Sequence, residues 1–251
     1  MIDESSAAPS DSAATPVLEN HLGGADAPRY RAFQFELIAP HCGRSVLEVG
    51  AGLGEFAEQF DFLDRQVLTD VEPYCLESLN HRFQDRPQVE VREWLLPGAP
   101  PVQTPVDTVI ALNVLEHIPD DVGALRSFAA ATVPGGKIVL WVPGYQALYG
   151  DFDRRVGHVR RYTPSTLAAA GRAAGLEVES VRPVNLLGGM AWWLAVRLGR
   201  AGQANPRLIR VYDRTLVPMT RFIEGQVTPP FGQSILGVLK VPVTQESPSN
   251  A

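Results

Sequence analysis

The chain has 251 residues, 45% of them apolar, and its 22 Lys and Arg against 28 Asp and Glu give a formal net charge of −6. This length and apolar share fit one α/β domain with a full core, and the acidic balance excludes a global basic field suited to nucleic acid. Cys42 and Cys75 lack metal-ligand spacing. They argue against a disulfide framework and for a reducing, cytoplasmic setting, and neither a signal-peptide pattern nor an apolar run of ~20 residues is expected to alter that.

Residues 1–20 are rich in Ser, Ala, Asp and Pro and are expected to form a flexible tail. Order is expected to begin near Pro28. Tyr30, Phe33, Leu37 and Ile38 recur at helical spacing and Pro40 ends the run, which predicts a helix that either covers a sheet or touches a ligand pocket. Residues 45–49 form a predicted strand, followed at once by Gly50-Ala51-Gly52-Leu53-Gly54. Glycines there let the backbone turn sharply and leave room for a ligand against the main chain. A helix over about 53–62, with Phe56, Ala57 and Phe60 on one face, is expected to aim its free N–H groups at that ligand. A second strand over 66–70 ends on Asp70. An acidic group about twenty residues beyond such a turn accepts hydrogen bonds from a cofactor ribose. A strand-terminal Asp also caps a following helix; the agreement with the glycine turn favours the ribose. Pro73 suits the first turn of a helix containing Leu76, Leu79 and Phe83.

Residues 89–91 read as a short strand, followed by Glu93 and Trp94, which offer adenine contacts, while Trp94 equally suits the core. Residues 97–105 are a Pro-rich loop. A buried strand over 106–112 leads into Asn113-Val114-Leu115-Glu116-His117-Ile118, and Asp120 or Asp121 caps a helix through Leu125 and Phe128. Pro134-Gly135-Gly136 turns into a strand over 137–142. Strands alternating with helices predict a parallel sheet with right-handed crossovers. The loop over 144–162 carries His158 and the arginines Arg154, Arg155, Arg160 and Arg161. Thr163-Pro164 opens a helix that Gly175 ends. Residues 176–184 alternate like a strand. An insertion over 185–230, with the Trp192-Trp193 stretch and a second helical pattern over 208–223, precedes a closing strand over 234–241, and residues 244–251 form a loose tail.

The spacing E-x-G-x-G-x-G over 48–54 departs from the dinucleotide fingerprint G-x-G-x-x-G by an early third glycine. It resembles motif I of the class I S-adenosylmethionine (SAM) dependent methyltransferases. Asp70-Val71-Glu72-Pro73, Asn113-Val114-Leu115-Glu116-His117-Ile118-Pro119 and Val133-Pro134-Gly135-Gly136-Lys137-Ile138 resemble further landmarks of that superfamily. Gly157-His158-Val159-Arg160-Arg161-Tyr162-Thr163, with Ala174-Gly175-Leu176 beyond it, is similar to a subgroup often found beside, or fused to, bacterial glycosyltransferases. The resemblance covers residues 30–241. It implies one domain over 28–243: a Rossmann-like, seven-stranded, mostly parallel sheet with an antiparallel last strand, helices on both faces and a helical insertion before that strand. It also implies SAM as cofactor and no metal. Glu48, Gly50, Ala51, Gly52 and Gly54 would border the methionine part of SAM. Asp70 would hold the ribose with Val71 against the adenine, Glu93 or Trp94 would flank the adenine, and Asn113 would line the pocket near the sulfonium.

A sulfonium presents an activated methyl group, so the protein has mainly to align the acceptor. A hydroxyl acceptor also benefits from a base. The candidates are His158, His117 and Asp151, with structural hydrogen bonding as the alternative for each histidine. The four loop arginines suit a phosphate-bearing acceptor such as a sugar nucleotide or a lipid-linked molecule, or else pair with Asp151, Asp153 and helix ends. Trp192 and Trp193 suit a membrane interface, an acceptor lid, a dimer contact or a helix buried at the sheet edge. The expected function is methyl transfer to a small-molecule or saccharide acceptor, most readily to oxygen. The alternatives are N- or C-methylation on the same scaffold, or a non-catalytic SAM-binding partner of a glycosyltransferase system.

Overall fold

The central strands carry near-continuous apolar runs, so both faces of the sheet must be covered. The computed structural model describes residues 27–197 and 206–243, and the tails expected over 1–20 and 244–251 lie outside them. Its strands are β1 (Ser45–Val49), β2 (Arg65–Asp70), β3 (Val89–Glu93), β4 (Val106–Leu112), β5 (Thr132–Pro143), β6 (Glu177–Val184) and β7 (Ser234–Lys240), in the order 3-2-1-4-5-7-6. Strands β1 to β5 pair in parallel, and β7 runs antiparallel to β5 and β6. The Rossmann-like, seven-stranded sheet with an antiparallel last strand is therefore present.

Among the described residues seven helices surround it: α1 (Pro28–Ile38), α2 (Pro73–Arg82), α3 (Asp121–Ala130), α4 (Asp151–Val156), α5 (Pro164–Ala173), α6 (Leu186–Arg197) and α7 (Pro206–Glu224). On one face Leu47, Val109, Ile138 and Leu140 pack under Leu125 and Phe128 of α3 and Leu167 of α5. On the other, Val46, Ile110, Val139 and Trp141 pack under Phe33 and Ile38 of α1 and Val217 of α7. Pro at the start of α1, α2 and α5 fits the missing N–H of a first turn. Asp120 caps α3 by accepting from the Gly123 N–H at 2.8 Å, and Thr163 and Thr166 form a reciprocal capping box on α5.

Two expectations need correction. No α-helix follows the glycine turn; the segment over 53–62 holds only a 3₁₀ turn, Ala57–Gln59. The chain there must return quickly to β2, where Asp64 and Arg65 both donate their N–H to the Arg44 carbonyl. Phe56 and Phe60 instead bury themselves against Phe35 of α1, at ring separations of 6.0 and 4.9 Å. The Ala57 carbonyl is taken by the Gln66 side chain at 2.9 Å. Helical hydrogen bonding gives way to an aromatic cluster. In addition, β5 begins earlier than 137: Val106 pairs with Thr132 and Thr108 with Lys137, and the residues between them bulge out of register at Gly135, whose φ is 81°.

The insertion over 185–230 folds as α6 and α7. Buried Asn185 anchors it at a φ of 64°. Its Oδ1 accepts from the Tyr212 hydroxyl at 2.8 Å and the Gly188 N–H at 3.2 Å, and its Nδ2 donates to Gln233 Oε1 at 2.7 Å. One side chain thus joins the end of β6, both insertion helices and the approach to β7. Buried Asp213 of α7 accepts the Tyr30 N–H at 2.8 Å, which fixes α1 over the sheet. A Cβ added at Gly232 would lie 2.0 Å from the Val184 carbonyl oxygen and 2.6 Å from its carbon. Both are backbone atoms of the adjoining strand and have nowhere to move. Gly232→Ala is therefore expected to lower unfolding free energy by about 2–3 kcal/mol or more, read as an earlier urea midpoint; an unchanged midpoint would show that this junction has slack.

Candidate active site

Parallel pairing of β1 with both β2 and β4 brings the turns at their carboxyl ends together, at the edge where open α/β sheets bind ligands. A cavity of about 470 Å³ opens there. Glu48, Gly50, Ala51, Gly52, Asp70, Val71, Trp94 and Asn113 line it, and so does His117. Gly54, Glu93 and His158 are not among its lining residues. Gly54 lies behind the turn: a Cβ there would meet the Phe83 ring at 2.6 Å and Leu79 at 2.9 Å, so its absence lets the turn pack on the core beneath. Glu93 ends β3 on the exposed surface.

The glycine turn is held by side chains rather than by a helix. Gly50, Gly52 and Gly54 have φ of 64°, 55° and 79°. Asp70 Oδ2 accepts the Gly52 N–H at 2.9 Å, while Oδ1 accepts those of Val71 and Glu72 at 2.8 and 3.0 Å. Asp70 thus ties the glycine turn to the turn before α2 and faces the cavity, while α2 itself, with Glu72 at its N-cap position, has no side-chain cap. The N–H groups expected from a following helix are absent, and that of Gly52 is already engaged.

Glu48 lies on β1 with its side chain buried, and its Oε2 has no hydrogen-bond partner among the described residues. Burial, reinforced by the nearby Asp70 charge, pushes its carboxyl up to about 8. A buried carboxyl with an open oxygen at a cavity wall suits a cationic ligand group. The donor set therefore fits SAM, whose sulfonium and amino groups are cationic, and Glu48, Gly50, Gly52, Asp70 and Val71, the residues expected to border it, line one cavity. Trp94 borders the cavity while its ring packs on Phe128 at 5.8 Å, which places it in the core and at the cavity wall. Asn113, at a φ of 52°, donates its N–H to the Trp141 carbonyl at 2.7 Å and stands at the exposed rim.

The histidines divide between wall and interior. His117 ends a 3₁₀ turn after β4 and faces the cavity. His158 is buried behind it, the two rings meeting edge-on at 4.7 Å. His158 Nδ1 lies 2.8 Å from Asp153 Oδ1, and its Nε2 lies 3.8 Å from Glu116 Oε1. Burial raises the Asp153 carboxyl, but hydrogen bonds from His158 and Arg161 and the Arg161 charge outweigh it, and the net shift is below the usual carboxylate range. Glu116, His117 and His158 each bring one potential ligand atom within 4.8 Å of the others.

The loop arginines divide between interior and surface. Arg161 is buried and grips Asp153 with two bonds of 2.7 and 3.1 Å, and its guanidinium lies 5.6 Å over the Trp192 ring. Arg160 pairs with Asp121 and donates to the Pro119 carbonyl at 2.6 Å. Arg154 pairs with Asp151 on the surface, and Arg155 is exposed. The loop itself contains α4, and a bridge between Gly144 and Tyr162 closes it at its base. Residues of α1 were missed as site residues: Arg31 and Gln34 line the cavity, with Arg31 paired to Glu55 at 3.7 Å. Helical spacing in α1 identified its core face, but nothing local shows where the remaining face points.

A family model for a methyltransferase domain matches residues 25–181. Among curated relatives, the tRNA U34 carboxymethyltransferase of Syntrophotalea carbinolica is 32% identical over 111 residues, covering 41% of this chain and 34% of that protein. The ubiquinone biosynthesis O-methyltransferase of Xanthomonas euvesicatoria pv. vesicatoria is 30% identical over 155 residues, covering 55% and 65% respectively. The chain thus spans between about a third and two thirds of the length of these relatives. In fold it is similar to the N-methyltransferase NodS of Bradyrhizobium japonicum WM9 in complex with S-adenosyl-L-homocysteine, with a TM-score of 0.55, 15% identity and coverage of 90% and 97% of the two chains. It is also similar to the [4+2]-cyclase SpnF, with a TM-score of 0.61, 16% identity and coverage of 93% and 95%. The chain belongs to the methyltransferase domain family, among the class I SAM-dependent methyltransferases.

Proposed function

We propose that this protein methylates a hydroxyl oxygen of a small-molecule or saccharide acceptor, with SAM as the methyl donor. When bound, SAM supplies a methyl group activated by its sulfonium. What supports oxygen as the target is that His117 lines the same cavity as Glu48 and the glycine turn. A hydroxyl must shed its proton as it is methylated, and an imidazole at the wall is the group to take it. Behind His117, His158 lies between the carboxylates of Asp153 and Glu116. In this reading His158, held by Asp153, backs the His117 ring edge-on and fixes its orientation, and His117 makes the direct contact. An O-methyltransferase stands among the curated relatives, which agrees with the reading.

Incubation with labelled SAM and pools of sugars, sugar nucleotides and lipid-linked saccharides, followed by mass spectrometry, tests the acceptor class. A labelled methyl ether is the expected product; a labelled amine or carbon product would move the chemistry off oxygen. With that acceptor, His117→Gln is expected to lower kcat by about 10²–10⁴-fold while S-adenosylhomocysteine still binds within about twofold. An unchanged kcat removes His117 as the base.

Glu48 makes a pH-dependent prediction. Its carboxyl holds a proton more tightly in the ligand-free fold than in the unfolded chain, so stability should fall as pH rises from about 4.5 to about 8. A cationic ligand favours the ionised form, so cofactor affinity should strengthen over the upper part of that range, by up to about tenfold per pH unit, and level off above it. Glu48→Gln should melt higher than the parent at pH 8 without ligand and bind S-adenosylhomocysteine more weakly, with a flat pH profile. Calorimetry and thermal melts read both effects, and a parent whose affinity is already flat with pH would contradict the assignment.

A further inference from the structure

Helix α7 turns an apolar and a basic set of side chains outward. Val217, Asp213 and Thr220 are buried against the body of the protein. Leu208, Val211, Met219 and Phe222 are exposed, Leu208 to 66% and Phe222 to 75%. At 3.6 residues per turn these four fall on one stripe. Arg207, Arg210, Arg214 and Arg221 are exposed as well, and the same geometry puts them on an adjacent stripe along one side of the apolar one. The helix has two acids, and both are turned away from solvent. Asp213 is buried on the Tyr30 N–H, and Glu224 accepts the Leu186 N–H at 2.8 Å. The outward charge of α7 itself is therefore carried by arginines, of which Arg221 also pairs with Glu36 of α1, on a chain whose net charge is −6.

A protein interface of pure apolar character has no use for a basic row, and a solvated helix face has no use for exposed Leu, Val, Met and Phe in register. A phospholipid surface accommodates both, because apolar side chains enter the acyl boundary while arginines stay on the phosphates. We propose that α7 docks this protein on the surface of an anionic phospholipid bilayer. Among the described residues no helix is long and apolar enough to cross a membrane, so this contact is peripheral. Helix α6, which packs against α7, adds exposed Met190, Trp193 and Leu194. The Trp doublet divides its work. Trp193 is 45% exposed, whereas Trp192 donates its Nε1–H to the Leu148 carbonyl at 3.0 Å and stacks edge-on against Phe152 at 5.4 Å. Trp192 thereby ties the insertion to the loop that carries His158 and Arg161. Docking through α7 is independent of which acceptor atom is methylated.

Co-sedimentation of the full chain with vesicles of phosphatidylcholine alone, or of phosphatidylcholine with phosphatidylglycerol, tests this. Binding to the anionic vesicles, weakening as salt is raised, is expected, with little binding to the neutral ones. Arg210→Gln and Arg214→Gln should each weaken it about fivefold, and Phe222→Ser roughly tenfold. Thermal melts of the variants establish that each is folded. Trp193 emission should shift to shorter wavelength on binding and should not when Trp193→Phe is used. Equal binding to both vesicle types, or none to either, overturns the proposal. So does a dimer in sedimentation velocity that Phe222→Ser dissolves, because the stripe would then belong to a second copy of the chain.

Discussion

The cofactor side of the site depends on one carboxylate. Asp70, at the end of β2, accepts the N–H of Gly52 from the turn after β1 and two more from its own turn. The parallel register places Val49 beside Thr69, so the two turns emerge side by side and a single side chain can span them. A glycine turn with three positive φ values is intrinsically loose, since glycine has the most backbone freedom to lose. In many nucleotide-binding α/β proteins a following helix restrains such a turn. Here only a 3₁₀ turn follows, and the carboxylate supplies the restraint.

A second buried charge system holds the far side. Asp153 and Glu116 are fully buried carboxylates, Arg161 is the buried guanidinium between α4 and the base of the loop, and His158 lies between the two acids. Such a network adds little net stability over a packed apolar alternative, but it tolerates few arrangements of the loop. That rigidity keeps His117 at the cavity wall, backed by the His158 ring.

The fold does not choose the reaction. The same architecture is shared with an N-methyltransferase and with a [4+2]-cyclase. What individualises this chain lies around the sheet's carboxyl edge: α1 over the cavity, the closed loop after β5, and the α6–α7 insertion. Asn185, Asp213 and Trp192 are the buried attachments through which the insertion holds these parts together.

Apolar periodicity, prolines and capping residues determined most of the fold, because those signals are local. Strands β1, β2 and β4, the starts of α2, α3 and α5, and the early third glycine with Glu48 and Asp70 were all legible from spacing. The helix expected over 53–62 was misread because its apolar residues do sit on one side. What decides against helix is a carbonyl captured by Gln66 and rings captured by Phe35, both distant in sequence. The same distance hid Arg31 and Gln34, which reach the cavity only because α7 pins α1 above it. For His158 and the loop arginines, acceptor contact and internal pairing are equally compatible with the spacing, since a polar loop rich in cations looks solvated. Only the tertiary structure decides that Asp153 and Glu116 bury two of these groups and that Asp121 takes a third. The sequence by itself determined which residues carry the charge and the turns. Folding decided which of them face the cavity and which face one another, because partners in a buried ion pair are matched by three-dimensional proximity and not by spacing along the chain.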